Sequence, residues 1–394
     1  MKDASEIQGL SVCVRKRAKR AILNLDCAYV QAAANAAQRG NENEQAPIFQ
    51  EKRSKKVKRV TDLSQQDINR IVKHYGLNAE YVGRYGKVYK IYTGQGIFAL
   101  KKIAPQNGMG FIRHVQSLYQ RGYNRIVPVY PALDGRYGVL YNGALYYLMP
   151  WLPNEEKEAR GEKHQKMFRE LARLHSLSVK DTEISIEKRR EYYEETLSRW
   201  YGQQDFLEEF LERCEEQVYM SPFALLYCTF YNETNQALKF SIRQLENWYE
   251  QSKEMEKART VTIHGKISTE HFLYDERGLG YFTNFELAKN AAPFYDLLPF
   301  LSRTLDSYPS RFDDCVDWVK TYFSYFPLKE DEKSLFFSYL AYPAPIIQTV
   351  EEYFANEGKR HEARAVAKLQ EKYWRMKNTE YVVMQLSQGA APAS

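Results

Sequence analysis

The chain has 394 residues, a net formal charge of +6, and 44% hydrophobic against 27% charged residues. That composition is globular and allows two or three domains or one bilobal one. No apolar run is long enough for a membrane span, and the start Met-Lys-Asp-Ala-Ser-Glu lacks the apolar stretch of a secretory leader. The five cysteines, Cys13, Cys27, Cys214, Cys228 and Cys315, are scattered without a C-x-x-C pair, so neither a zinc site nor a disulfide framework is expected.

The positive charge is local. Residues 1–60 hold 13 Lys/Arg against 6 Asp/Glu, and the remainder is nearly neutral. The charge therefore marks a tail and gives no reason to expect a nucleic-acid-binding face. With Tyr29 and Phe49 as its only aromatics and basic clusters at 15–20 and 52–59, the tail is expected to be a disordered basic extension. Three origins stay open for it: an arm for anionic partners, an inert extension, or translation that starts near Val57 or Val60. Tyrosine is unusually common, at 31 residues.

Residues 61–150 read as a sheet-rich lobe. Asp62 or Ser64 caps a helix whose stripe is Leu63, Ile68, Ile71 and Val72, ending at Gly76. Strands are expected at 80–84, 86–93 and 97–103, with a hairpin turn at Gly94-Gln95-Gly96. A helix over 111–120 follows. Strands are then expected at 126–130, 137–141 and 144–149, with a turn at Asp134-Gly135. Residues 151–394 read as a helical lobe with long helices over 187–257, a strand-and-turn island at 260–288, and helices from Pro293 onward.

The order and spacing of four motifs resemble the aminoglycoside phosphotransferase-type branch of the protein kinase-like superfamily. They are Phe98-Ala99-Leu100-Lys101-Lys102, Leu171-Ala172-Arg173-Leu174-His175, Val261-Thr262-Ile263-His264-Gly265, and Asn284-Phe285-Glu286 followed by Tyr295-Asp296-Leu297. The resemblance implies an α+β bilobal kinase-like fold, a small antiparallel sheet lobe plus a large helical lobe. Within that branch the late segment from Tyr342-Pro343 to Tyr353-Phe354 resembles the CotS-type spore coat family. This implies a structural or assembly role in the bacterial spore coat, synthesis in the mother-cell cytoplasm, and other coat proteins as partners.

A kinase of this branch needs a strand lysine on the phosphates, usually held by a helix glutamate. It also needs a catalytic Asp, an Asn five residues later, and a metal-binding Asp. Alternation puts Ala99 and Lys101 on one face, so Lys101 is the candidate phosphate contact. Its glutamate is absent: no acidic residue lies between Ile103 and Asp134, the helix carries Arg113, His114 and Gln116, and no substitute is evident. The pattern H-G-D-x-x-x-x-N reads His264-Gly265-Lys266-Ile267-Ser268-Thr269-Glu270-His271, so Lys266 and His271 replace the Asp and the Asn. Asn284 replaces the metal Asp. A cationic lysine is a poor base, and magnesium prefers anionic oxygen.

These losses predict a pseudokinase with no metal site and no required cofactor. Two alternatives stay open. Glu270 or Glu286 could restore base or metal duty in an active small-molecule or protein kinase. Lys101 and Lys266 could bind ATP without magnesium in a nucleotide-sensing protein. His264 and Asp296 are expected to brace the catalytic segment. Gly83-Arg84-Tyr85-Gly86 is too bulky for a phosphate loop and is expected to be a tight hairpin. The aromatic stretches 322–326 and 336–339 are candidate contact surfaces, competing with a role in helix cores.

Overall fold

The computed structural model describes residues 63–154, 160–305, 312–355 and 361–388. The basic tail, residues 1–60, lies outside the described residues.

The first helix, α1 (Gln65–Lys73), starts where the sequence places a cap: the Ser64 hydroxyl accepts the Asp67 amide, and the Asp67 carboxylate accepts the Ser64 amide. Five antiparallel strands follow: β1 (Tyr81–Tyr85), β2 (Val88–Thr93), β3 (Gly96–Ile103), β4 (Val139–Tyr141) and β5 (Ala144–Pro150). Their order in the sheet is β1-β2-β3-β5-β4, with α2 (Phe111–Gln120) inserted after β3. Alternation divides the sheet. Leu100, Tyr146 and Leu148 pack with Ile68, Ile71 and Val72 of α1. Ala99, Tyr147 and Met149 point the other way, into the main core with α2. The register sets Lys101 opposite both Val88 and Tyr147.

Helices dominate the rest: α3 (Arg160–Ser178), α4 (Ile186–Glu215), α5 (Pro222–Ser252), α6 (Phe294–Thr304), α7 (Asp313–Tyr325), α8 (Glu330–Ala341), α9 (Ala344–Ala355) and α10 (Glu362–Gln388). α5 packs along α4, α8 and α10, and α3 packs along α7. Ser185 and Ser221 cap α4 and α5 by accepting amides from Lys188 and Ala224. The island holds β7 (Lys257–Ile263), β8 (Phe272–Tyr274), β9 (Gly280–Phe282) and β10 (Lys289–Ala291). β7 is central, with β10 on one side and β6 (Lys180–Glu183) on the other. This small antiparallel sheet lobe on a large helical part is the architecture expected from the sequence.

Several local expectations need correction. Residues 126–130 form no strand, only two isolated bridges, Ile126 to Phe282 and Tyr130 to Leu148. Their amides are used one at a time, Val127 N–H donating to the Phe282 carbonyl at 2.8 Å and Tyr130 N–H to the Leu148 carbonyl at 2.9 Å, while Phe282 N–H donates to the Arg125 carbonyl at 2.8 Å. This apolar stretch therefore ties the sheet lobe to the island. The strand expected at 137–141 shortens to Val139–Tyr141. The glycine hairpin turns at Gly86 and Lys87, because Gly83, Arg84 and Tyr85 belong to β1. The two aromatic stretches are mostly core: Tyr322, Phe326 and Phe336 are buried, Phe323, Phe337 and Tyr339 pack against them, and Tyr325 is 55% exposed.

Candidate functional site

The site begins where β7 ends. His264 and Gly265 follow its last residue, and the buried carboxylate of Asp296, in the first turn of α6, receives their backbone. Asp296 Oδ2 accepts His264 N–H and Oδ1 accepts Gly265 N–H, each at 2.7 Å. His175 of α3 reaches the same carboxylate with Nε2 at 3.2 Å, and its Nδ1 meets the Tyr322 hydroxyl at 2.7 Å. His264 Nε2–H donates to the Thr283 carbonyl at 2.7 Å, while its Nδ1 accepts Lys266 N–H at 3.3 Å. Burial pulls its imidazole below the ordinary histidine range, so it is neutral in this role. Gly265 has φ +84°, and a β-carbon there would meet the Leu287 carbonyl oxygen at 2.4 Å. Only glycine fits that approach.

The three positions singled out by the motif resemblance, Lys266, His271 and Asn284, fall together on this frame. The Lys266 side chain is exposed, but its carbonyl accepts His271 Nδ1–H at 2.8 Å. That acceptor fixes the tautomer, so Nε2 is an acceptor and takes Asn284 Nδ2–H at 2.6 Å. Burial lowers the His271 pKa, which favours the same neutral ring. Asn284 sits at φ +77°, a left-handed conformation that asparagine tolerates, and its Oδ1 is buried without a hydrogen-bond partner. One exposed ammonium, one neutral imidazole and one neutral amide make a donor set that does not fit magnesium. Among the described residues, no group of three His, Cys, Asp or Glu side chains could hold a metal ion. Of the two acids considered for rescue, Glu270 is exposed and Glu286 is already engaged.

That engagement corrects the sequence reading, which found no partner for Lys101. Lys101 Nζ lies 2.5 Å from Glu286 Oε1, and the Tyr147 hydroxyl donates to the same oxygen at 2.7 Å. The side chains of Lys101 and Glu286 are only 13% and 9% exposed. Burial pulls the Lys101 ammonium below its ordinary range, and Lys87 and Lys266 repel it further, against the attraction of Glu286. Burial presses the Glu286 carboxyl upward, but the Lys101 charge and hydrogen bond, with the Tyr147 bond, outweigh it and leave the pKa lowered. Tyr147 itself is pushed well up, by burial first and Glu286 second. The partner of Lys101 is thus an acid 185 residues along the chain and not one on α2. The available signal was its position two residues after Asn284.

Beyond Ala99, on the same face as Lys101, side chains of the sheet itself pack together. The Tyr85 ring packs on Trp151, with centroids 5.3 Å apart. Lys90 Nζ lies 4.8 Å from the centre of the same Trp151 ring.

With this geometry in place, comparison with known proteins gives a consistent result. The sequence model described as the phosphotransferase enzyme family matches residues 83–324. Among solved structures, the chain is similar to an aminoglycoside phosphotransferase from Alicyclobacillus acidocaldarius subsp. acidocaldarius DSM 446, at 13% identity. That match has a TM-score of 0.60 and covers 84% of this chain and 97% of the other. An AMP-bound spectinomycin phosphotransferase matches at 13% identity and TM-score 0.47, over 84% and 99% of the two chains. A choline kinase from Streptococcus pneumoniae matches at 12% identity and TM-score 0.38, over 75% and 91%. No curated protein matches the chain.

Proposed function

The chain belongs to the phosphotransferase enzyme family, and from that premise we propose that it is a member without phosphotransfer activity, a pseudokinase that serves as a structural or assembly component of the bacterial spore coat. One observation carries the first half. The positions of the catalytic base and of both metal ligands hold Lys266, His271 and Asn284, and the latter two are consumed by each other. Losing a positioned base alone costs about 10²–10⁴ in rate. Here the metal ligands are lost with it.

The spore coat assignment rests on the resemblance of the late segment from Tyr342-Pro343 to Tyr353-Phe354 to the CotS-type family. The stretch from Glu80 to Ile103 is like that of the spore coat protein YsxE. The high tyrosine content agrees with such a setting. In this reading the protein is made in the mother cell and deposited in the coat, with other coat proteins as its partners. A braced, aromatic-packed bilobal body would present a fixed surface to them. No helix among the described residues is long and apolar enough to cross a membrane.

The test of the chemistry is thermal unfolding of the full chain with ATP, in magnesium and in EDTA. A ligand at 100 times its Kd adds about 2.7 kcal/mol of stability. The expected result is no magnesium-dependent shift. A shift that appears only with magnesium refutes the proposal. For the setting, antibody detection in fractionated spores should place the chain in the coat extract, and recovery in vegetative cytosol instead would refute it.

A further inference from the structure

A hollow of about 390 Å³ lies in the helical lobe, where α6, α10 and the joint between α8 and α9 meet. It is separate from the site described above. On α6, Asp296 and Arg303 turn toward the loop after β7, with Arg303 donating to the Ile267 carbonyl at 2.7 Å. Leu298, Pro299 and Ser302 lie on another face of the same helix and line the hollow. Pro343 keeps Tyr342 in extended backbone, so α8 stops there and α9 begins at Ala344. The aromatic wall is fixed from behind. The Tyr342 ring stacks on the buried Trp200 ring of α4, with centroids 4.5 Å apart, and its hydroxyl donates to Gln203. Tyr339 meets the same indole edge-on at 5.8 Å. Asn378 Nδ2–H donates to the Leu305 carbonyl at 3.1 Å and holds α10 against the end of α6. The hollow is thus shaped in advance, as ligand pockets usually are.

Its lining sorts by chemistry. Leu298, Leu340, Ile346 and Met376 give apolar walls beside the two tyrosines. α10 adds Lys372 and Arg375, three residues apart and so on one side of the helix. Among the described residues that line the hollow there are two cations and no acid. The Arg375 guanidinium reaches from α10 to α6, where it donates to the Ser302 hydroxyl. The Lys372 side chain is only 17% exposed, and its ammonium lies 2.6 Å from the carboxylate of Glu371, which is itself 56% exposed. A carboxylate is a better acceptor for a guanidinium than a hydroxyl is, because it accepts two parallel charge-assisted bonds.

We propose that this hollow binds an amphipathic organic anion, with a carboxylate received by Arg375 and Lys372 and a flat apolar body against the wall of Tyr339, Tyr342 and Met376. The size agrees: an apolar cavity of about 150 Å³ holds one benzene, so a body of about two fused rings fits here. The inference goes beyond the reading of the cleft as inactive and does not depend on it, since it uses none of Lys101, Lys266, His271 or Asn284.

The probe is 2-naphthoate, with binding to the full chain followed by titration calorimetry beside the neutral 2-naphthamide of the same shape. The expected result is saturable one-to-one binding of the acid, and binding of the amide at least tenfold weaker. Arg375→Gln should weaken binding of the acid at least tenfold. Ala344→Trp, which drives an indole into the hollow from a half-buried position, should abolish it. The comparison of acid with amide uses the unmodified chain, so it decides the question even if a variant fails to fold. Equal binding of acid and amide, or an unchanged affinity in Arg375→Gln, overturns the anion assignment. No saturable binding of the acid, or binding that a folded Ala344→Trp retains, overturns the site.

Discussion

Asp296 is the residue on which the site's backbone depends, and Asp296→Asn perturbs it with almost no change in volume. The carboxylate accepts two backbone N–H groups at 2.7 Å and the His175 imidazole at 3.2 Å, with its side chain fully buried. An amide keeps one accepting oxygen and turns an NH₂ group toward a backbone N–H, leaving that donor unpaired. An unsatisfied buried donor costs about 1–3 kcal/mol. The surviving bonds fall from charged to neutral strength, roughly 1 kcal/mol each. The sum is about 3–5 kcal/mol. At roughly 2–4 °C per kcal/mol for large domains, Tm should fall by about 6–20 °C. Differential scanning calorimetry alongside urea denaturation would read both quantities. A loss below about 1 kcal/mol with an unchanged urea dependence would refute the argument that this carboxylate holds the loop.

Two other outcomes follow from the same region. Gly265→Ala should be far more damaging than Gly278→Ala, although both glycines have positive φ, because only the first would drive a β-carbon into a backbone oxygen. The left-handed conformation alone costs roughly 1–3 kcal/mol, so equal losses in urea denaturation would contradict the packing. The second outcome concerns pH. Burial lowers the pKa of His114, His264 and His271, so the unfolded chain takes up their protons first. Stability should be level above about pH 6.5, the ordinary histidine value, and fall as pH drops toward the folded values. The slope should be about 1.4 kcal/mol per pH unit for each histidine. A flat profile between pH 7.5 and 5.5, or an unchanged slope in His271→Asn, would contradict this.

Local pattern carried much of the fold. The capping box at Ser64, the alternation from Val88 to Ile103 and the glycine turns are short-range features, and the structure has them within a residue or two of the expected places. What failed was set by distant partners. β6 is Lys-Asp-Thr-Glu, with no apolar alternation, and it is a strand because β7 lends it a ladder. Residues 126–130 look like a strand but spend their amides on β5 and β9 separately. The site divides in the same way. The substitutions at 266, 271 and 284 are visible in a motif, residue against residue. The Lys101–Glu286 contact joins residues 185 positions apart, and the one local hint, the place of Glu286 two residues after Asn284, says nothing of Lys101.

The hydrogen-bond chain from the Lys266 carbonyl through His271 to Asn284 also couples the three positions to one another. Each member now suits its neighbour: a carbonyl accepts, the ring passes polarity across, and an amide donates. An Asp at 284 alone would set a carboxylate against an accepting ring nitrogen, or force a half-buried histidine to take a proton. An Asn at 271 alone would strand the other two. Either change made alone is therefore expected to lower stability, so positions 271 and 284 are energetically coupled and a double-mutant cycle between them should be non-additive.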